Sequence, residues 1–120
     1  RILRGADLNA ADYIEALNQR AAMIEDSARV AAPYDALLMP TVAMVAPAIA
    51  PLEADDQLYA KTNLAMLRNP SVVNFLDGCA LSIPCHQPGQ GPVGLMVVGQ
   101  SGEDRRLLAL GLALESALRQ

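Results

Sequence analysis

The sequence of 120 residues has few aromatic residues, few charges and few cysteines. Aromatic side chains make up 3% and charged side chains 18%, whereas 52% of the residues are apolar. The 9 basic and 13 acidic residues give a formal net charge of -4, so the chain lacks the basic surface that phosphate binding requires. We therefore expect no nucleic acid as a direct partner. The high apolar content excludes intrinsic disorder, and the length is typical of a single core.

The number of cysteines and the length of the apolar runs indicate the cellular compartment in which the protein is expected. Cys79 and Cys85 are too few for a disulfide framework, which favours reduced thiols and a cytoplasmic location. The longest apolar stretch, between Asp35 and Glu53, is interrupted by prolines and falls short of the roughly 20 residues that cross a bilayer. No signal peptide is visible, and we expect no membrane partner. The sequence begins at Arg1 rather than Met, so a part of a longer protein is one interpretation.

Apolar residues at steps of three and four predict a long amphipathic helix from Asn9 to Ala31. Asn9 and Asp12 have the spacing of an amino-terminal cap, and Pro33 follows the predicted end. The opposite side of this helix is charged, and we expect it to face solvent.

A second helix is predicted over Gln57 to Arg68, with Asp55 or Asp56 as its cap. A separate short helical turn through residues 72–76 follows. Its end is predicted at Gly78, because glycine is the residue most often found directly after a helix.

The carboxy-terminal segment carries a clear apolar stripe that predicts a last helix continuing to Leu118. Ser101 and Asp104 have the spacing of a capping box, with a shorter carboxylate where glutamate is usual. We therefore expect this helix to begin at Ser101.

Three apolar runs predict strands: Tyr34 to Met39, Cys79 to Pro84 and Val93 to Gly99. The last two are apolar at nearly every position, which is typical of strands buried on both faces between layers of helices. The sequence therefore predicts an α/β fold with about three strands and three to four helices. A sheet this narrow has two unpaired edges and uncovered apolar faces, so we expect the isolated chain to self-associate.

Residues 40–52 contain three prolines and no charged residue. This composition fits neither a regular helix nor a central strand, and it predicts a long apolar loop. Loops of this length are often functional, so this one either lines a pocket or packs on the core.

Gly89, Gly91 and Gly94 have the G-x-G-x-x-G spacing of a dinucleotide-binding loop. That loop must open a helix whose amide groups face the pyrophosphate, yet Pro92 removes one such group and a strand-like run follows. A glycine-rich turn between strands is the better interpretation, and no cofactor is expected.

Other combinations of reactive residues are incomplete. Cys85 and His86 are adjacent, so on a strand they point to opposite faces and cannot easily share a metal ion or act as a nucleophile pair. Lys61, the single lysine, lies on a polar helical face. Ser101 does not fit a nucleophile elbow, because Glu103 stands where the second glycine is required. We expect no metal site and no complete catalytic group.

Three motifs lie at the boundaries of the predicted elements: YDALLMPT at residues 34–41, LDGCALSIPC at 76–85 and PVGLMVVG at 92–99. Together with Ala46-Pro47 and the Leu67-Arg68-Asn69 segment, they resemble the carboxy-terminal part of the amidase signature family. The motifs occur in the family's order over nearly all of the chain. The resemblance implies an α/β/α fold with a mixed central sheet, of which residues 1–120 supply the carboxy-terminal portion.

The resemblance also implies a reaction. Members of this family hydrolyse carboxylic amide C–N bonds with a serine nucleophile, a second serine that relays the proton and a lysine base. Those groups lie upstream of the matching part, so the resemblance implies no catalytic residue in this sequence and an inactive chain as it stands. The resemblance implies that the substrate of the full-length enzyme is a small-molecule amide. A general amidase fits better than the tRNA-amidotransferase branch, where we would look for an acidic residue just before Asn69, and Leu67 and Arg68 supply none.

The resemblance implies that this part of the family contributes to the substrate cavity. It makes Thr41, Val42, Asn69 and Asn74 candidate substrate-binding residues. For the two asparagines, a structural role as amides at a helix end and a turn is the slightly better interpretation. Two alternative functions remain at this point: a non-catalytic α/β binding or assembly module, and the A subunit of a glutamine-dependent tRNA amidotransferase.

Overall fold

The structure is a computed structural model that describes residues 2–118, with side chains described from residue 5 onward. A short 3-10 helix, Ile2–Asp7, precedes the regular elements. The helices are α1 (Ala10–Ala31), α2 (Ile49–Ala54), α3 (Asp56–Phe75) and α4 (Asp104–Leu118). The strands are β1 (Leu37–Pro40), β2 (Cys79–Pro84) and β3 (Gly94–Gly99). The mixed α/β class predicted from the sequence is confirmed.

Helix α1 begins with the cap that the sequence predicts. The Asn9 side chain accepts a hydrogen bond from the Asp12 amide at 3.0 Å, and the Asp12 carboxylate accepts one from the Asn9 amide at 3.2 Å. This reciprocal pair satisfies two of the amide groups that an α-helix leaves free at its start. The helix ends at Ala31, as predicted, but none of its residues is fully buried.

Helix α3 is continuous, so the prediction of a helix ending at Arg68 and a separate turn at 72–76 is wrong. Asp55 caps it, accepting hydrogen bonds from the two amides at positions 57 and 58 at 2.8 and 3.0 Å. Pro70 lies inside the helix, where it removes one backbone donor. The turn beyond Pro70 is held by packing, because Val73 is buried against the sheet.

The end of α3 differs by one residue from the prediction. Asp77, not Gly78, takes the left-handed conformation, with φ of 55°. The Gly78 amide donates to the Val73 carbonyl at 3.0 Å, and the Asp77 amide donates to the Asn74 carbonyl at 3.3 Å. These two bonds form a Schellman motif. Aspartate tolerates the left-handed region better than most residues, so it can occupy this position.

The three strands form an antiparallel sheet in the order β1-β3-β2. Met96 in β3 lies opposite Met39 of β1 and Ser82 of β2. Strand β2 has the predicted bounds and β3 differs by one residue, whereas β1 begins at Leu37 and is shorter than the predicted run. Because β3 pairs on both sides, β1 and β2 are the edges of the described sheet.

Of the three strands in the described residues, only β3 is covered on both faces. On one face, Met96 and Val98 pack with Val73 of α3. On the other face, Val97 packs with Ile83 of β2 and Leu107 of α4, and Val97 is fully buried. In β2, by contrast, buried or half-buried residues alternate with exposed ones. The expectation that β2 is buried on both faces is therefore wrong, because α4 covers one face of this strand and the described elements leave the alternate side chains exposed.

Two predictions about loops and caps are also corrected. The predicted loop over residues 40–52 is shorter, because α2 begins at Ile49; Pro51 fits there since first-turn amides need no intrahelical acceptor. Helix α4 begins at Asp104, so Ser101 lies too early to cap it. Gly102, with φ of 82°, instead turns the chain before the helix, and the Glu103 carboxylate accepts a hydrogen bond from the Gln100 amide at 3.0 Å.

The chain is flat and exposes much apolar surface. Its extents are 53 × 45 × 19 Å and its radius of gyration is 17.6 Å, against about 13.6 Å for a compact domain of this length. The accessible surface of 9139 Å² exceeds the roughly 6,200 Å² expected for a folded monomer of this mass. Large apolar side chains such as Val30, Ile49 and Leu112 are about 70% exposed. The described elements thus leave several apolar faces without a partner.

Gly78→Ala is expected to lower the free energy of unfolding by about 1–3 kcal/mol, the usual cost of overpacking. An added Cβ would lie 3.0 Å from the Gly99 carbonyl oxygen and 3.1 Å from Val73 Cγ1, closer than most Cβ contacts, so these neighbours must give way slightly. Gly91→Ala is the matched control, since nothing lies within 4 Å of its added Cβ. Urea denaturation of both variants measures the difference, and equal midpoints would contradict close packing at Gly78.

Candidate functional site

A polar cluster lies where β1 passes into the following loop. We define it as Thr41 and Ser82, which lie beside Gly94, together with Asn69, which contacts the preceding residue, Pro40. The Thr41 and Ser82 hydroxyl oxygens are 2.6 Å apart and share a hydrogen bond. Thr41 also donates its backbone amide to the Gly94 carbonyl at 2.9 Å, which extends the β1–β3 pairing by one residue. The cluster therefore connects all three strands at one end of the sheet.

Gly94 makes the bond between the two hydroxyls possible. Strands β1 and β2 lie on opposite sides of β3, about 9.6 Å apart, a distance that side chains of this size do not normally bridge. A Cβ on Gly94 would clash with Ser82 Oγ and lie 2.7 Å from Thr41 Oγ1. The missing side chain thus leaves the space in which the two hydroxyls meet.

Asn69 joins helix α3 to the same point. Its Nδ2 donates to the Pro40 carbonyl oxygen at 2.7 Å, and its Oδ1 accepts from Arg68 Nε at 3.2 Å. Pro40 is the last residue of β1, an edge strand, so this carbonyl has room for a side-chain donor. Asn69 therefore binds the residue that directly precedes Thr41, and both residues are candidates for substrate binding.

The other two candidates lie differently. Val42 follows Thr41 and is half-buried. Asn74 is exposed in the last turn of α3, and a helix of ordinary geometry places it about 140° around the axis from Asn69. The structure brings Thr41, Val42 and Asn69 to one end of the sheet and leaves Asn74 outside the cluster.

A cavity of about 320 Å³ lies at the other end of the sheet. It is bounded by the carboxy-terminal half of α1, the segment that leads into β1, the end of α3 and the end of β3. Its apolar walls include Ile24, Leu37 and Val98. None of the four candidate residues lines it. Its wall extends along β1 as far as Met39, two residues before Thr41 of the polar cluster.

The charged groups at this cavity are paired. Arg106 reaches Asp35 at 2.5 Å and Glu103 at 3.1 Å. The hydrogen bond to Asp35, followed by the negative charge of Glu103, raises the pKa of the Arg106 guanidinium above its usual value. The arginine is therefore fully charged at physiological pH and holds the start of α4 against the segment that precedes β1.

Helix α1 makes polar contacts with the ends of α3 and β3. Arg20 forms an ion pair with Asp77 at 2.5 Å, and its guanidinium lies 5.7 Å from the centre of the Phe75 ring. Farther along the helix, the Gln100 side chain donates to the Ala28 carbonyl at 3.4 Å. These contacts hold α1 over the cavity without burying its apolar side chains.

The family model described as Amidase matches residues 1–108. The chain belongs to the amidase family. The family assignment made from the three motifs is thus confirmed.

Three curated proteins are similar to this amidase-family chain. It is 32% identical over 95 residues to 2-amino-5-chloromuconic acid deaminase of Comamonas testosteroni, a match that covers 78% of the chain and 20% of that protein. It is 32% identical over 104 residues to the A subunit of the glutamyl-tRNA(Gln) amidotransferase of Desulforamulus reducens, a match that covers 86% of the chain and 20% of that subunit. An uncharacterized protein in the nthA 5' region of Rhodococcus erythropolis is 29% identical over 82 residues, and the match covers 68% of the chain and 41% of that protein. The chain therefore spans between one fifth and two fifths of the length of these relatives.

The comparison with solved structures gives no match. Within residues 2–118, no helix is long and apolar enough to cross a membrane.

The remaining sequence candidates can be placed in this amidase-family fold. Gly89, with φ of 84°, lies in the turn between β2 and β3, and a strand rather than a helix follows the glycines. His86 Nδ1 lies 3.4 Å from the Val93 backbone, and Cys85 Sγ lies 3.6 Å from the Val93 carbonyl oxygen. Both cysteines are free thiols. Among the described residues, no group of three potential ligands could hold a metal ion.

Ser82 is the residue of the cluster that sequence reasoning missed. It is a single polar residue in the apolar run of β2, and that is the one signal that could have marked it. Its neighbour across the sheet is set by the strand order, since Thr41 lies 41 residues earlier in the chain. Local sequence patterns do not contain that order.

Asn69→Ala is expected to lower the free energy of unfolding by about 0.5–1.5 kcal/mol relative to Asn74→Ala, because only the first variant loses a hydrogen bond to the backbone. Both variants exchange asparagine for alanine in the same helix, so the gain in helix propensity largely cancels. Urea denaturation followed by circular dichroism provides the measurement. An equal effect of the two variants would show that the bond from Asn69 to Pro40 does not stabilise the fold.

Proposed function

We propose that this chain is the carboxy-terminal part of an amidase that hydrolyses carboxylic amide C–N bonds. The observation that carries the proposal is the family match over residues 1–108. In this proposal, residues 1–120 contribute strands of a larger sheet and one wall of the substrate cavity. The nucleophilic serine, the relaying serine and the base lysine belong to the sequence upstream of the matching part.

The open faces of the fold support this division. The chain is only 19 Å thick, and its accessible surface is about half as large again as that of a compact monomer. Both edge strands of the described sheet lack an outer neighbour. Additional strands and helices from the same protein would pair those edges and cover the apolar faces.

A serine–lysine mechanism needs a lysine held neutral by desolvation and hydrogen bonding, so that it can accept a proton through the bridging hydroxyl. Backbone amides must also stabilise the oxyanion that forms. Lys61 is exposed, and it precedes Asn69 by about two helical turns, roughly 12 Å along the axis. The hydroxyl of Ser82 is bonded to Thr41 instead. Neither residue therefore supplies the base or the nucleophile in this proposal.

We place Thr41, Val42 and Asn69 at the wall of the substrate cavity, because they lie together where the uncharged loop begins. Asn74 is proposed as a contact that a substrate or an upstream segment reaches from the other side of α3. No cofactor is required by this chemistry. The free thiols favour a cytoplasmic protein.

The proposal is tested by comparing this chain with the complete product of its gene. Each is purified and assayed for ammonia release from a panel of aliphatic and aryl amides. We expect turnover by the complete protein and none by the 120-residue chain. Turnover by the 120-residue chain would overturn the proposed division of labour.

The amidotransferase is a second candidate, favoured by the 32% identity over 104 residues. An enzyme component of that kind would release ammonia from glutamine but not from aryl or long-chain amides. Including glutamine in the panel separates the two functions. Hydrolysis of glutamine alone would replace the general amidase by the amidotransferase.

The isolated chain is also expected to self-associate, because two unpaired strand edges and exposed apolar side chains favour association. Size-exclusion chromatography with light scattering over a range of protein concentrations should show dimers or larger species. The complete protein serves as the control, since its additional elements cover the same faces. A 12.7 kDa monomer at all concentrations would contradict this expectation.

A further inference from the structure

The loop of residues 41–48 leaves the sheet at a point fixed by three hydrogen bonds. The Thr41 amide bonds to Gly94 at 2.9 Å, the Thr41 hydroxyl bonds to Ser82 at 2.6 Å, and the Asn69 side chain bonds to the Pro40 carbonyl at 2.7 Å. The three partners come from β3, β2 and α3. Two consecutive residues are thereby held in position and direction.

Beyond this point, the side chains of the loop make no polar contact among the described residues. Its sequence, TVAMVAPA, has no charged residue, and Thr41 supplies its only polar side chain. Val42 is half-buried, whereas Val45 is 63% exposed and Met44 is 36% exposed. The loop is thus an apolar surface whose direction depends on its fixed start.

We infer that Ser82 is a positioning residue for this loop, and that the loop contacts the apolar acyl group of an amide substrate. The inference rests on the proposed amidase function. Ser82 does not touch the substrate in this arrangement. Its hydroxyl holds Thr41, and Thr41 sets the direction in which the apolar residues leave the sheet.

The chemistry of the loop selects the substrate class. A wall with valine, methionine and alanine side chains gains affinity for each methylene group that it removes from water. It offers no partner for a charged or strongly polar acyl group, whose burial there would carry a desolvation cost. Amides with uncharged aliphatic or aryl acyl groups are therefore the expected substrates. Short-chain amides would reach the loop least.

The test uses the complete protein and compares kcat/KM for acetamide with that for hexanamide. In Ser82→Ala, the kcat/KM for hexanamide should fall about fivefold, mainly through a higher KM, because one hydrogen bond of the anchor is lost. Acetamide turnover should change by less than about twofold, because the catalytic groups are unaltered. A purely structural role would lower the thermal midpoint without changing the ratio between the two substrates.

Matched variants control for folding and for the loss of a hydroxyl. Thr41→Val should reproduce the change in ratio, Thr41→Ser should restore it, and the double variant Thr41→Val/Ser82→Ala should be no worse than either single variant. Ser116→Ala is the control on α4, where the hydroxyl bonds to the Leu112 carbonyl at 2.9 Å and lies outside the cluster. It should leave both substrates unchanged.

The outcomes separate this inference from the function on which it rests. If the complete protein hydrolyses no amide, the proposed function and the acyl contact are both wrong. If it hydrolyses both amides and Ser82→Ala leaves their ratio unchanged, the positioning role is wrong and the amidase function stands. If Ser82→Ala does not fold, the Thr41→Val and Thr41→Ser pair decides by the same ratio.

Discussion

The pairing of β3 with a neighbour on each side is the constraint on which the rest of this structure depends. It makes β3 the central strand, so that Val97 is fully buried on one face while Met96 and Val98 are buried on the other. The same pairing places β1 and β2 on opposite sides of β3. Residues that are distant in sequence therefore meet across a position without a side chain.

Local patterns predict the parts of this fold that depend on neighbours in sequence. The reciprocal cap of Asn9 and Asp12 needs only a spacing of three residues, and it is present as predicted. Helix α3 shows where such reasoning fails. Pro70 weakens the helix locally, but the burial of Val73 against the sheet continues it, and a sheet contact is not visible in the sequence. Tertiary packing outweighed a local signal there.

The candidate site also combines features that the sequence predicts with features that depend on the tertiary fold. Thr41 and Asn69 could be singled out from sequence because a resemblance to a family drew attention to them. Their mutual arrangement could not, since it requires the strand order, the register and the contact with Pro40. Ser82 was missed for that reason. A serine in an apolar strand has no recognisable partner until the strands on either side of β3 are known.

If the loop contacts a substrate as proposed, the position of the hydroxyl pair explains how apolar side chains can do so with a defined geometry. Apolar contacts are not directional, so a loop of valine, methionine and alanine can fix neither its own position nor that of a substrate. Hydrogen bonds are directional, and here three of them act on the two residues from which the loop starts. In the proposed arrangement, the hydrogen bonds at the start of the loop supply the geometry, and the apolar side chains that follow supply affinity for the substrate. Gly94 leaves the space in which the Thr41 and Ser82 hydroxyls meet. A side chain at this position would push the two hydroxyls apart, and the start of the loop would lose one of its three hydrogen bonds.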